Sequence, residues 1–301
     1  MRLSMVRFES RPCALCGGAD RRVAARVERY EVPLTVVRCG ACGHVYLDPR
    51  PVDEDLPRLY DEEYYAGSDR PGAYTYVDDR RFAGAARLRA RGRLLRLERL
   101  VPSGRLLEVG CSFGAFLAEA RARGFAAEGV DLSPVACAAC REAGLVVRQG
   151  TFEGAGFPAA TFDVVYMAET VEHLPDPRAT VREAARVLRE GGVLVVGTAN
   201  RDSLARLLRG RRWGYYMPGH LQYYSARTLG RLLREEGFRL LRRRFGDDRP
   251  LGLLRAARRA AGIPAGPVSV LQDAVRRLHM GPFSLGAGMV LYAAHRAVSR
   301  R

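Results

Sequence analysis

Lysine is missing from this chain. All 49 basic side chains are arginine, set against 33 acidic ones in 301 residues, so the formal charge of +16 reflects a composition that uses one cation throughout. Bulk charge of that origin is no evidence for a phosphate-tracking surface, and a nucleic-acid partner is not expected. Long apolar runs are missing as well. The longest charge-free apolar stretch, Met280–Ala294, has 15 residues and is broken by Gly281, Pro282, Gly286 and Gly288, which excludes a bilayer-spanning helix there. The opening Met1-Arg2-Leu3-Ser4-Met5-Val6-Arg7 has no apolar segment before its charges recur, so no secretory signal is expected and the expected compartment is reducing cytosol. No internal repeat or low-complexity tract stands out beyond the arginine and alanine bias.

What is present is 48% hydrophobic residues, enough for a real core and too many for a disordered chain. Length predicts one large domain, or a large one with a small satellite. The charge is divided unevenly. Residues 1–200 carry 28 arginines against 27 acids, whereas residues 201–301 carry 21 against 6. The C-terminal excess, including Arg239, Arg242, Arg243, Arg244, Arg249, Arg255, Arg258 and Arg259, reads first as a solvated face. Leu251, Leu253, Leu254 and Ile263 among these arginines leave two alternatives, peripheral contact with an acidic membrane or a grip on a substrate phosphate.

Seven cysteines fall into two groups, and Cys13-x-x-Cys16 and Cys39-x-x-Cys42 form one of them. Two such pairs supply the four thiolates of a tetrahedral structural zinc, each pair is followed by glycine, and strand-like segments at Arg22–Val27 and Leu34–Arg38 lie between them, as in a zinc ribbon. Four thiolates close the coordination shell, so this module is structural or recognitional rather than catalytic. His44 is then expected near the metal ligands or at the surface. Cys137-x-x-Cys140 has no partner pair and lies in a predicted helix, where packing accounts for it.

Residues 48–80, rich in proline, aspartate and tyrosine, read as a connector with a short helix, and a helical pattern follows over 78–100. Strands are then predicted at 105–109, 126–130, 145–148, 162–167 and 193–198, alternating with helices at 115–123, 134–143 and 178–189. Such βα alternation predicts a parallel sheet with helices on both faces. Beyond residue 201 the pattern gives helices at 202–209 and 225–236, a strand at 238–245, basic helices within 251–279 and a last strand at 289–294.

The first βα turn, Leu107-Glu108-Val109-Gly110-Cys111-Ser112-Phe113-Gly114, ends a strand in glycines and opens a helix whose free N–H groups face a docked group. Asp131 ends the next strand, where a carboxylate can accept both hydroxyls of a ribose. A nucleoside-containing cofactor is implied. A dinucleotide turn wants G-x-G-x-x-G, but Ser112 and Ala115 occupy its second and third glycine positions, which argues against a pyrophosphate there.

Glu108-x-Gly110-x-x-x-Gly114, Gly129-Val130-Asp131-Leu132-Ser133, Phe162-Asp163-Val164-Val165 with Glu172-His173-Leu174-Pro175, and Leu188-Arg189-Glu190-Gly191-Gly192 together resemble the class I S-adenosylmethionine-dependent methyltransferases. The resemblance covers residues 78–245. It implies a Rossmann-like, doubly wound α/β fold with a seven-stranded sheet whose last strand, near 289–294, runs antiparallel. The paired cysteines, Cys42-Gly43-His44-Val45-Tyr46 and Leu59-Tyr60-Asp61-Glu62-Glu63-Tyr64-Tyr65 resemble the subset that carries a zinc-binding lead segment, frequent among methyltransferases of sugars, glycans and secondary metabolites. The expected organisation is a zinc ribbon over 1–50, a connector over 51–77 and the methyltransferase domain over 78–301, with an acceptor lid around 200–236 and a basic helical insertion around 250–280.

By this resemblance Gly110, Cys111, Ser112 and Gly114 would hold the methionine moiety, with Glu108 toward its amino group and Asp131 on the ribose. Leu132, Thr151 and Phe152 would flank adenine, and Ala168 and Glu169 would border the transferring methyl. Methyl transfer to a nucleophile is an in-line displacement in which positioning supplies much of the rate, and a base is needed only where the acceptor loses a proton. His173 and His220 are the candidate bases, each set against a structural role, and Trp213 and its neighbouring tyrosines either stack on the acceptor or pack the lid. The expected function is methylation of a hydroxyl or carbon on a small-molecule, sugar or glycan-like acceptor. Two other readings stay open, an RNA methyltransferase using the ribbon and the C-terminal arginines, and a non-catalytic protein that keeps the cofactor fold.

Overall fold

The computed structural model describes residues 6–60, 83–245, 279–280, 283–284 and 288–295. The basic helical insertion, Arg249, Arg255, Arg258 and Arg259 lie outside the described residues, as do Tyr64, Tyr65, Tyr74 and Tyr76 of the connector. Short strands β1 (Phe8–Glu9), β2 (Arg21–Arg29), β3 (Val32–Cys39), β4 (Val45–Leu47) and β5 (Arg50–Pro51) lead to a 3-10 segment at Asp53–Tyr60 and helix α1 (Ala83–Leu97). Then follow β6 (Arg105–Val109), α2 (Ala115–Ala122), β7 (Ala126–Asp131), α3 (Pro134–Glu142), β8 (Val147–Gln149), β9 (Phe162–Ala168), α4 (Pro177–Val187) and β10 (Leu188–Ala199). The chain continues through α5 (Leu204–Arg209), β11 (Gln222–Tyr223), α6 (Ala226–Glu235), β12 (Phe238–Phe245), the short pair β13 (His279–Met280) and β14 (Phe283–Ser284), and β15 (Gly288–His295).

The large sheet has seven strands in the order β12-β15-β10-β9-β6-β7-β8. Strands β8, β7, β6, β9 and β10 pair in parallel, and β15 inserts antiparallel between β10 and β12. Apolar side chains along β9 and β10 are buried on both faces, as a central parallel sheet requires. Their alternation divides the core. Val165, Met167, Leu194 and Val196 join one cluster, while Val164, Tyr166, Val193 and Val195 join the other.

Helix starts follow local chemistry. Asp176 caps α4 by accepting the amides of Arg178 and Ala179, and Ser225 with Thr228 forms a reciprocal capping box on α6. Two predicted boundaries move. Helix 178–189 stops at Val187, because Leu188 takes an extended conformation, is buried and pairs with Phe162 at the start of β10. The strand predicted at 145–148 begins at Val147, because Gly144 closes α3 in a left-handed turn and Leu145 N–H is spent on Cys140 O.

The small N-terminal sheet has the order β11-β4-β3-β2, so its fourth strand comes from the segment between α5 and α6. Val36, Val45 and Leu47 share a core with Trp213, Tyr216, Leu221 and Tyr223. Arg178 Nε reaches across from α4 to donate to Leu15 O at 2.8 Å. The paired-cysteine module is therefore built into the segment predicted as a lid.

Candidate active site

A cavity of about 480 Å³ opens at the carboxyl ends of β6, β7 and β9, where open α/β sheets place their ligands. Gly110, Ser112, Asp131, Leu132, Thr151, Phe152, Glu169 and His173 all line it. Gly110 sits at φ +73°, and a side chain there would meet Thr170 Oγ1 at 2.4 Å, so the turn requires glycine both for conformation and for space. Thr170 Oγ1 donates to Val109 O at 3.1 Å, joining this turn to the end of β9. Ser112 and Glu169 also adopt positive φ, at 47° and 55°, local strain of the kind that gathers around ligand sites.

Asp131 accepts Ser112 N–H at 2.8 Å on one oxygen and Ser133 N–H at 2.9 Å on the other. Burial raises its pKa, opposed by these backbone donors. Each carboxylate oxygen has two lone pairs, so both keep capacity for a further donor. Leu132 is 45% exposed on the cavity wall, an apolar surface suited to a planar ring, and Phe152 is buried beside it on the same wall. Glu108 lies beneath the turn rather than on the cavity wall. It is 7% exposed, its Oε2 has no hydrogen-bond partner, and burial lifts its pKa well above the carboxylate range.

Other predicted contacts stand back from the cavity. The Cys111 side chain is buried behind the turn against Gly129, Gly114 opens α2 with Cys140 and Leu145 against it, and Ala168 is half-buried in β9. Cys137 and Cys140 are buried on α3, where Cys140 Sγ donates to Ser112 O at 3.1 Å and packing accounts for the pair.

The two histidines meet although 47 positions separate their numbers. Their rings contact edge to face at 4.6 Å between centroids. His173 is half-buried and faces the cavity, whereas His220 is buried behind it. Nδ1 of His173 donates to Gly219 O at 2.8 Å and Nδ1 of His220 to Tyr215 O at 2.8 Å, which leaves Nε2 of each ring as the lone-pair nitrogen. Burial holds His173 down to about 4 and His220 well below its ordinary value, so both rings are neutral at neutral pH. Trp213, Tyr216, Tyr223 and Tyr224, in the segment predicted as a lid, are buried.

Asp53, Leu56, Pro57 and Tyr60 from the 3-10 segment are among the cavity residues that the sequence did not point to. Tyr60 Oη lies 2.7 Å from His173 Nδ1 and donates to Gly219 O at 3.3 Å. These contacts cross more than a hundred residues, and no local pattern announces them.

Cys13, Cys16, Cys39 and Cys42 converge, each sulfur within 4.8 Å of the others. The Cys13–Cys42 and Cys16–Cys39 sulfur distances are 3.6 and 3.5 Å, close to the edge of about 3.8 Å in a tetrahedron built on Zn–S bonds of about 2.3 Å. Burial pushes the Cys39 thiol up, but the Cys42 amide and the neighbouring thiols outweigh it and bring it down to about 7. His44 is fully buried rather than at the surface, with Nε2 2.9 Å from Gln222 Oε1 of β11.

A family profile described as a methyltransferase domain matches residues 79–243. An uncharacterized protein of Mycobacterium tuberculosis is 35% identical over 177 residues, 58% of this chain and 61% of that one. The ubiquinone biosynthesis O-methyltransferase of Xanthomonas axonopodis is 39% identical over 116 residues, 36% of this chain and 48% of the enzyme. The chain thus spans between about half and three fifths of the length of these relatives. Among solved structures, an SAM-dependent methyltransferase of Thermotoga maritima superposes with a TM-score of 0.52 at 23% identity, covering 72% of this chain and 94% of that one. Geranyl diphosphate C-methyltransferase of Streptomyces coelicolor gives a TM-score of 0.51 at 19% identity, with 81% and 98% covered. Both structural likenesses concern the fold.

Proposed function

The chain belongs to the class I S-adenosylmethionine-dependent methyltransferases, and on that premise we propose that it methylates a hydroxyl or carbon of a small-molecule, sugar or glycan-like acceptor. The observation that carries this reading is the two-sided cavity, with the Gly110 turn, Asp131 and Leu132 on one wall and His173 with Tyr60 on the other. When bound, the cofactor supplies a methyl group already activated on a sulfonium. Gly110 and Ser112 would receive its methionine portion, Asp131 the ribose diol, and Leu132 with Phe152 the adenine. The unpartnered Oε2 of Glu108 beneath the turn suits a water-mediated link to its amino group.

On the His173 side of the cavity, the carbonyl of Gly219 holds the tautomer that leaves Nε2 of His173 as the lone-pair nitrogen. That nitrogen suits an acceptor hydroxyl or an acidic carbon, and the depressed basicity of the ring leaves most of the rate to positioning. Tyr60 ties this wall to the 3-10 segment that follows the N-terminal strands.

We propose further that Cys13, Cys16, Cys39 and Cys42 hold one structural zinc, which braces the lid sheet. Such a thiolate site fits a reducing compartment. The described arginines of the basic cluster lie on β12, the sheet edge opposite β8, which weighs against an RNA acceptor at this cavity. Calorimetry with S-adenosylhomocysteine, followed by identification of the lysate metabolite labelled by methyl-tritiated cofactor, tests the reading. Micromolar binding and a labelled small molecule are expected. No binding to the folded protein, or label only in RNA, overturns it.

A further inference from the structure

Glu172, His173 and His220 form a second cluster that the cofactor chemistry does not use. Each offers a ligand atom within 4.8 Å of those of the other two. Donors bonded at about 2.0–2.2 Å to one tetrahedral ion stand about 3.3–3.6 Å apart, within that limit, so side-chain adjustments can close the set around one. Glu172 is 2% exposed, and neither carboxylate oxygen has a hydrogen bond of normal geometry, although the Thr198 hydroxyl and Glu169 lie near enough to influence it. Burial and the nearby Glu169 raise its pKa well above the carboxylate range, so the site leaves that group either a proton or a cation as its partner.

Both imidazoles are oriented for ligation. Backbone carbonyls of Gly219 and Tyr215 occupy the two Nδ1 atoms at 2.8 Å each, the outer contact that fixes the ring and frees Nε2 in metal-binding histidines. The amide of Leu221 donates to Glu172 O at 2.8 Å, which ties the histidine-bearing lid segment to the carboxylate-bearing turn.

We infer that Glu172, His173 and His220 bind a divalent first-row transition-metal ion, distinct from the four-thiolate site. Two imidazoles and one carboxylate match the preferences of such ions and are too hard a set to compete with the cysteines for a thiophilic metal. Three protein ligands leave an open coordination position, and His173 faces the cavity, so an acceptor oxygen is the group that would complete the shell. This goes beyond the function proposed above, since His173 then serves as a ligand. It rests on the geometry of the cluster and not on the identity of the acceptor.

The test uses tag-free, full-length protein with zinc already in the ribbon, titrated with cobalt(II). One further equivalent is expected, with weak ligand-field bands and no thiolate charge-transfer absorption. X-ray absorption on this complex should show a nitrogen and oxygen shell with imidazole outer scattering. Glu172→Gln and His220→Ala, checked for folding by circular dichroism and by S-adenosylhomocysteine binding, should lose the added equivalent while the ribbon zinc, read by metal analysis, stays bound. Absence of the added equivalent in the wild type, a sulfur shell around it, or its persistence in both cluster variants overturns the site. Loss of cofactor binding is a separate result and bears only on the methyltransferase reading.

Discussion

The tips of β6, β7 and β9 and the sheet shared by ribbon and lid treat their side chains in opposite ways. At the tips the backbone is strained at Ser112 and Glu169, Leu132 stands 45% exposed, and a cavity of about 480 Å³ stays open. In the shared sheet Trp213 and Tyr216 are 1% exposed, and the hydroxyls of Tyr223 and Tyr224 are buried without partners, so packing rather than hydrogen bonding holds them. The first region is arranged to receive a molecule, and the second to hold one wall of that site in place. A rigid brace beside a strained, open turn is how a fold keeps a binding geometry that its local backbone would not hold alone.

The largest effect should come from removing the zinc proposed for the ribbon. Structural zinc contributes on the order of 10 kcal/mol in small ribbon-like modules, so chelation or Cys39→Ser should unfold the shared sheet. Trp213 is the chain's one tryptophan and is buried there, so its emission should shift to the red. An unshifted emission from metal-free protein would break the contrast, since the lid would then stand without its brace. Next, Trp213→Ala should cost about 3–5 kcal/mol, read as a lower thermal midpoint, while the folded fraction still binds S-adenosylhomocysteine.

Effects at the open region should fall on binding and spare stability. Asp131→Ala removes hydrogen bonds to a charged group worth about 1.5–3 kcal/mol, a loss of roughly 10- to 100-fold in S-adenosylhomocysteine affinity by calorimetry. The pH dependence sharpens the point. Burial raises the Asp131 pKa, and only the ionised carboxylate accepts two hydroxyls, so affinity should be level at neutral pH and decline on acidification earlier than an ordinary aspartate would allow. Asp131→Asn should bind weakly with a flat profile over the same range. The smallest effect is expected from Leu132→Ala, roughly 1 kcal/mol or about fivefold in affinity with no change in thermal midpoint, because half of that side chain is already in water.

Much of the fold was legible because each part of it rests on a local rule. Alternation of apolar strands with helical segments marked β9, α4 and β10, and the glycine turn with Asp131 marked the cofactor end. Gly110, Asp131 and Leu132 were readable for the same reason, since one βαβ unit places them within about twenty residues of each other. The two N-terminal cysteine pairs carried their own spacing, whereas the same spacing at Cys137 and Cys140 leads only to helix packing.

Tertiary structure alone decided the rest. No local pattern states that β11 completes the ribbon sheet, that Tyr60 reaches His173, or that His220 stands beside it behind Glu172. Each of these contacts joins segments far apart in the chain, and which of them meet depends on how the lid packs on the ribbon. Periodicity and spacing record what neighbours in sequence do together. The cavity wall around Tyr60 and His173 is assembled by distant segments packing against each other, and that agreement exists only in the folded chain.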